Sequence, residues 1–90
     1  LAAEEILLDD LVLEWFTIDP EYACIGTTIR ELQARTTTGA SIVSIIEPNR
    51  VKRTNPEADT LLIEGATLIL AGDRSNINML KKLLVQGKGG

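Results

Sequence analysis

The stretch that decides the fold is SIVSIIE, residues 41–47. It is dominated by isoleucine and valine, and β-branched residues of this kind favour strands. Successive side chains of a strand point to opposite faces, which predicts Ile42 and Ile46 on one face and Val43 and Ile45 on the other. A strand that is apolar on both faces must be covered on both faces. In a small domain with one sheet, we expect the second cover to be another subunit.

A short helix is predicted upstream of this strand. Thr28 and Glu31 form the pattern of a capping box, in which each side chain accepts the backbone N–H of the other residue. Apolar residues Ile29 and Leu32 follow at helical spacing. Gly39 is the expected left-handed stop, so the helix should run for two to three turns.

Further strands and a second helix are predicted downstream. Residues 51–54 are expected to return as a polar edge strand after a turn at Pro48. Residues 61–72 predict two short strands separated by Glu64 and Gly65. A last helix, capped by Asp73 or Ser75 and ended by Gly87, should present an apolar stripe. The stripe consists of Ile77, Leu80 and Leu84, widened by Met79 and Leu83.

The ends of the chain complete the predicted organisation. Residues 1–10 contain good helix formers and are expected to be the end of a connecting helix, whereas 86–90 are expected to be a flexible tail. Residues 11–18 predict a strand that opens the domain, which spans 11–85. The order of elements indicates an α+β fold with a small, mostly antiparallel sheet, two main helices and a two-fold dimer.

Charge is unevenly distributed along the 90 residues, whose net charge is −4. Residues 1–24 hold seven acids and no base, whereas residues 25–53 hold five bases and two acids. An acidic total excludes a general binder of nucleic acid polymers, which needs a basic domain. A local anion-binding site in the middle third stays possible.

No catalytic constellation is visible in the sequence. There is no histidine, and Cys24 is the single cysteine, with no base beside it. We interpret Cys24 as a small buried hydrophobic residue of a reduced, cytosolic protein. No glycine-rich phosphate loop or metal-ligand spacing occurs. The sequence therefore predicts a binding or regulatory module, not an enzyme, without a cofactor or metal site.

Four segments resemble the TrkA C-terminal domain, also called RCK-C. They are IGTTIREL at 25–32, TGASIVSI at 38–45, NP at 55–56 and EGATLILAG at 64–72. Together with the terminal helix, they cover about residues 11–85 in the family's order. The resemblance implies a cytoplasmic regulatory domain of a potassium channel, a potassium uptake system or a cation/proton antiporter. It also implies a homodimer at the inner face of the membrane, with the transporter in the same chain or as a separate subunit.

Several members of that family bind the second messenger cyclic di-AMP in the groove of the dimer. By position, the resemblance implies eight ligand-binding candidates in this sequence: Ile29, Gln33, Arg35, Thr38, Ser41, Ile42, Arg50 and Pro56. Guanidinium groups would hold the two phosphates, and aliphatic side chains would sandwich the adenines.

Each candidate type also has a purely structural interpretation. Ile29 and Ile42 could pack the core, Arg35 could complement the end of a helix, and Pro56 could form a turn. Arg50 belongs to a basic cluster that could be a charged edge protecting the sheet from aggregation.

Two other functions stay open at this level. One is a dimerisation module without a small-molecule ligand, and the other is a divalent-cation sensor that uses acids such as Asp9 and Asp10. A related alternative is a regulatory appendage of an anion or amino-acid exchanger, because the same type of domain occurs there.

Overall fold

The computed structural model describes residues 11–88, in which one four-stranded sheet supports the fold. The strands are β1 (Val12–Thr17), β2 (Ser41–Ile46), β3 (Lys52–Thr54) and β4 (Thr67–Gly72). Their order is β1-β4-β2-β3, and every adjacent pair is antiparallel. The predicted α+β class with a small antiparallel sheet is confirmed. The predicted connecting helix at 1–10 lies outside the described residues, as do residues 89–90 of the predicted tail.

The predicted first helix is interrupted. The capping box forms, with Glu31 N–H donating to Thr28 Oγ1 over 3.1 Å and Thr28 N–H donating to Glu31 Oε1 over 2.9 Å. The helix α1 (Ile29–Leu32) then stops, because Gln33 adopts the left-handed conformation (φ 52°, ψ 45°), and α2 (Ala34–Thr38) begins after it. The prediction of one continuous helix is therefore wrong at a single residue.

The strand predicted just before Glu64 does not join the sheet. Leu61 makes only an isolated bridge with Thr28. Leu62 donates its N–H to Thr27 O over 2.9 Å, and its carbonyl accepts the Gly26 N–H over 2.9 Å. The segment is held by the loop before α1 because these bonds satisfy its backbone, so the sheet has four strands instead of the five predicted.

A β-bulge changes the faces of β2. The register against β4 shifts between Ile42 and Ser44, so that Val43 is an extra residue without a partner in β4. Ile42 and Ile45 both lie opposite the buried leucines of β4, on the same face of the sheet, whereas Ile46 lies on the other. The predicted pairing of faces is wrong, because simple alternation takes no account of the bulge.

The core lies between the sheet and the helix α3 (Arg74–Gln86). The predicted stripe of α3 is confirmed, since Ile77, Leu80 and Leu84 are fully buried. Leu83 joins them, but Met79 is 50% exposed and does not widen the stripe. Gly87 follows the helix with φ 82°, as predicted.

The opposite face of the sheet carries exposed apolar side chains. Leu13 and Trp15 of β1 are 53% and 59% exposed, and no described element covers them. Within residues 11–88, no helix has the length and apolar character that a membrane span requires.

An ion-pair cluster ties β1 to α3. Both Lys81 Nζ and Arg74 Nη1 donate to the carboxylate of Glu14, over 2.5 and 2.9 Å. The hydrogen bond from Lys81 is the main cause that holds the pKa of Glu14 below its ordinary value. Ion pairs that remain accessible to solvent contribute little to stability, so the cluster mainly fixes how β1 lies against the helix.

Replacing Asp73 by alanine should destabilise the domain by about 1 kcal/mol. The Asp73 carboxylate accepts the Asn76 N–H over 2.8 Å and caps the thirteen-residue helix α3. Thermal unfolding should show a melting temperature lower by about 4–8 °C. Ser75, the other predicted cap, is the matched control, because Ser75→Ala removes a side chain with no capping bond. Equal effects of the two substitutions would contradict the assignment.

Candidate ligand-binding groove

A groove of the described domain lies beside the amino-terminal half of β2. Its volume is about 520 Å³, within the usual range for small-molecule sites. One wall comes from the helical segment around Gln33, a second from β2, and the third from the loop after β3. The lining residues are Ile29, Arg30, Gln33, Ala34, Arg35, Thr36, Ser41, Ile42, Val43, Asn55 and Pro56.

The groove exists because β3 is shorter than β2. β3 pairs only with the second half of β2, from Ser44 onward, and Asn55 turns away with φ 53°. Asn55 N–H still donates to Val43 O over 2.9 Å. Before this point, the outer edge of β2 has no strand partner among the described residues. The α1–α2 segment and Pro56 stand on either side of that edge, so a cleft forms along it.

The walls combine apolar surface with positive charge. Ile29 and Ile42 are half-buried, and both also pack against the core. Arg30 and Arg35 are exposed, and neither forms an ion pair with a described residue. Such a surface suits a flat organic ligand that carries negative charge, because guanidinium groups bind phosphate or carboxylate oxygens in pairs.

Six of the eight predicted ligand-binding residues line this groove. They are Ile29, Gln33, Arg35, Ser41, Ile42 and Pro56. Thr38 is placed elsewhere: it is 5% exposed, its hydroxyl donates to Ala34 O over 2.7 Å, and it accepts the Ala40 N–H over 3.1 Å. Thr38 therefore fixes the corner between α2 and β2 in this protomer.

Arg50 lies outside the groove of its own protomer. It occupies the β2–β3 turn with φ 75° and donates its N–H to Glu47 O over 2.7 Å. The neighbouring Arg53 pairs with the Glu47 carboxylate, and all of β3 is exposed at the edge of the sheet. This arrangement fits the charged-edge interpretation of the basic cluster.

The prediction missed five residues that line the groove: Arg30, Ala34, Thr36, Val43 and Asn55. Each residue of a continuous helix rotates by about 100° around the axis. Five residues would therefore leave Arg30 and Arg35 pointing about 140° apart. The left-handed Gln33 resets the helix between them, and both arginines line the same groove. The excess of bases in residues 25–53 could have indicated Arg30 as a binding candidate. Nothing in the sequence marked the bulge at Val43.

The described residues that line the groove include no histidine, cysteine, aspartate or glutamate. Cys24 is 2% exposed in the core, and burial raises the pKa of its thiol, which keeps it protonated and inert. Within residues 11–88, no three His, Cys, Asp or Glu side chains gather as metal ligands.

The fold is a small α+β domain with one sheet and a candidate groove beside β2. The model of the TrkA-C domain family matches residues 13–85, and the chain belongs to this family. It is a regulatory domain and not an enzyme. Its predicted resemblance is thereby confirmed.

Three known proteins show what the chain is similar to. The K(+)/H(+) antiporter subunit KhtT of Bacillus subtilis (strain 168) is 34% identical over 89 residues, which are 99% of this chain and 54% of KhtT. This chain thus spans about half the length of that relative.

Two solved structures share the fold. The GsuK channel bound to NAD is 31% identical with a TM-score of 0.72, over 92% of this chain and 15% of the channel. The RCK_C domain dimer of S. agalactiae BusR in complex with c-di-AMP is 20% identical with a TM-score of 0.71, over 88% of this chain and 95% of that one.

Proposed function

We propose that this domain regulates a bacterial potassium or cation/proton transport system by binding cyclic di-AMP at the interface of a two-fold homodimer. The similarity to a K(+)/H(+) antiporter subunit supports the transport role. The similarity to a domain dimer that was solved with c-di-AMP supports the ligand and the assembly. The observation that carries the proposal is Arg35, which lines the groove and forms no ion pair with any residue in the range 11–88.

The groove of one protomer matches half of the ligand. Cyclic di-AMP has two adenines and two phosphates related by a two-fold axis. One groove supplies apolar walls at Ile29 and Ile42 for one adenine, and a guanidinium at Arg35 for one phosphate. An isologous interface brings the same elements from the second copy, because each patch faces its own symmetry mate. Two copies therefore complete the site, and Arg50 and Thr38 can belong to it only through such an assembly.

The edge of β2 favours a dimer more strongly than its two faces do. The bulge sends Ile42 and Ile45 to the same covered face, which weakens the case for a cover over the other face. At the mouth of the groove, the first half of β2 nevertheless has no strand partner in the described part of the chain along its outer edge. Unpaired edges favour association with a second chain.

The proposed partner is a membrane cation transporter or antiporter, present in the same chain or as a separate subunit, at the cytoplasmic face of the membrane. Ligand binding shifts a transporter between states only if the ligand binds one dimer geometry more tightly than another. A groove shared by two protomers meets this requirement, because a change in their relative orientation alters its width.

Titration calorimetry with cyclic di-AMP tests the proposal. Heat is expected at micromolar protein with one ligand per two chains, because each protomer supplies half of the site. Sedimentation of the same samples should show a dimer. Cyclic di-GMP serves as a control of equal charge, and equal binding of both would argue against adenine recognition.

The opposite outcomes separate the alternatives. A stable dimer that gives no heat with cyclic di-AMP would remove the ligand and leave a dimerisation module. A folded monomer at high concentration would remove the shared site altogether. The cation-sensor alternative depends on Asp9 and Asp10, which lie outside the described residues.

A further inference from the structure

Lys88, two residues beyond the end of the last helix, reaches back to a residue of the groove. Lys88 Nζ donates to Gln33 Oε1 over 2.8 Å and to the backbone oxygen of Glu31 over 2.7 Å. Fifty-five positions separate Lys88 from Gln33, so the contact joins the end of the domain to the α1–α2 break. Gln33 lines the groove, whereas Lys88 does not.

This contact fixes the orientation of the Gln33 amide. A lysine ammonium group has only donors, so the amide atom beside it must be the oxygen. The NH₂ group of Gln33 is then the part left for other partners, and no described residue accepts from it. The NH₂ group of Gln33 therefore offers two donors, while its amide oxygen is engaged by Lys88.

The backbone around Gln33 depends on the same ammonium group. The Glu31 carbonyl lies in the last turn of α1, just before Gln33 takes its left-handed conformation. A cation at that position satisfies a free carbonyl and interacts favourably with the end of the helix. Lys88 therefore supports both the side chain and the turn that carries it.

We propose that Lys88 is a positioning residue that holds Gln33 as a hydrogen-bond donor, so that the groove selects ligands with an acceptor at that point. This inference rests on the proposed function for its ligand, and a phosphate oxygen or an adenine ring nitrogen is the acceptor it predicts. Gln33 touches the ligand, and Lys88 acts through Gln33.

Calorimetry with cyclic di-AMP is the first test. Lys88→Met should raise the dissociation constant about 3- to 10-fold, because one oriented hydrogen bond is lost. Lys82→Met is the matched control: Lys82 is an exposed lysine on α3 without a hydrogen bond to a described residue, and its loss changes the net charge equally. Lys88→Arg should restore most of the affinity, since it keeps donors at the site. An equal loss of affinity in Lys82→Met and Lys88→Met would mean that only the net charge matters, and this result would overturn the proposal.

A double substitution separates positioning from general damage. In a Gln33→Met background, Lys88→Met should cause little further loss, because its effect passes through Gln33. Gln33→Glu should bind more weakly than Gln33→Met, since it keeps an acceptor for Lys88 but offers the ligand an acceptor instead of a donor. Additive losses for Lys88 and Gln33, or tighter binding by Gln33→Glu, would contradict the inference.

A measurement without ligand keeps the inference testable if cyclic di-AMP does not bind. In nuclear magnetic resonance spectra of the free protein, Lys88→Met should shift the Gln33 side-chain amide signals at an unchanged melting temperature, and Lys82→Met should not. If the Gln33 signals do not move, the positioning of Gln33 by Lys88 is disproved, whatever the ligand is. If the signals shift but cyclic di-AMP does not bind, the contact between Lys88 and Gln33 is supported and cyclic di-AMP is rejected as the ligand.

Discussion

Substituting Leu80 by alanine is expected to lower the free energy of unfolding by about 2–5 kcal/mol. Leu80 is fully buried at the centre of α3, in the core that this helix shares with the sheet. The loss combines the transfer free energy of the removed carbons with the cavity left behind. Domains of this size are stabilised by only about 5–15 kcal/mol in total, so the variant should be close to unfolding.

Urea denaturation at one fixed protein concentration would measure this effect, since self-association adds to apparent stability. Met79 provides the control, as the adjacent residue of the same helix is 50% exposed. Met79→Ala should change stability by less than about 1 kcal/mol. If both variants lost stability equally, the burial pattern of α3 would be wrong.

Arg35→Ala should weaken cyclic di-AMP binding by about 1.5–3 kcal/mol, roughly 10- to 150-fold. The Arg35 side chain lines the groove and forms no ion pair with a described residue, so its charge is available to a ligand phosphate. Because the side chain is exposed, the melting temperature should hardly change. Arg35→Lys should recover only part of the affinity, since an ammonium group does not bind a phosphate bidentately.

Arg74→Ala is the control for this measurement. It removes the same charge, but Arg74 lies at the start of α3, bound to Glu14, and does not line the groove. Normal binding by Arg35→Ala, or an equal loss in both variants, would refute the role of Arg35. Arg50→Ala adds a structural test: weaker binding there requires the second protomer to bring Arg50 to the site.

Much of the fold could be predicted from local patterns. Thr28 with Glu31, the glycine at 39 and the stripe of α3 act within a few residues, so their physical signals are contained in short stretches. The cap of α3 was narrowed to Asp73 or Ser75, and the structure selects Asp73. Met79 was misplaced, because the width of an apolar stripe depends on what packs against it.

Many residues of the groove could be predicted from the sequence, but its shape could not. Six candidates carried over by resemblance do line it, although whether they bind a ligand stays a prediction. Arg30 and Val43 were missed because their directions depend on the left-handed Gln33 and on the bulge in β2. Neither the left-handed residue nor the bulge is a glycine or a proline, which are the residues that usually indicate such conformations in a sequence.

By itself, the sequence determined the class of the fold, the boundaries of most elements and the family, because capping, periodicity and turn chemistry are local. Only the tertiary structure decided that α1 and α2 break at Gln33, that the edge of β2 opens into a groove, and that Lys88 meets Gln33 there. These features arise where segments far apart in the chain compete for the same hydrogen bonds and space. The packing of the complete domain decides between these segments, so the result cannot be predicted from a short stretch of sequence.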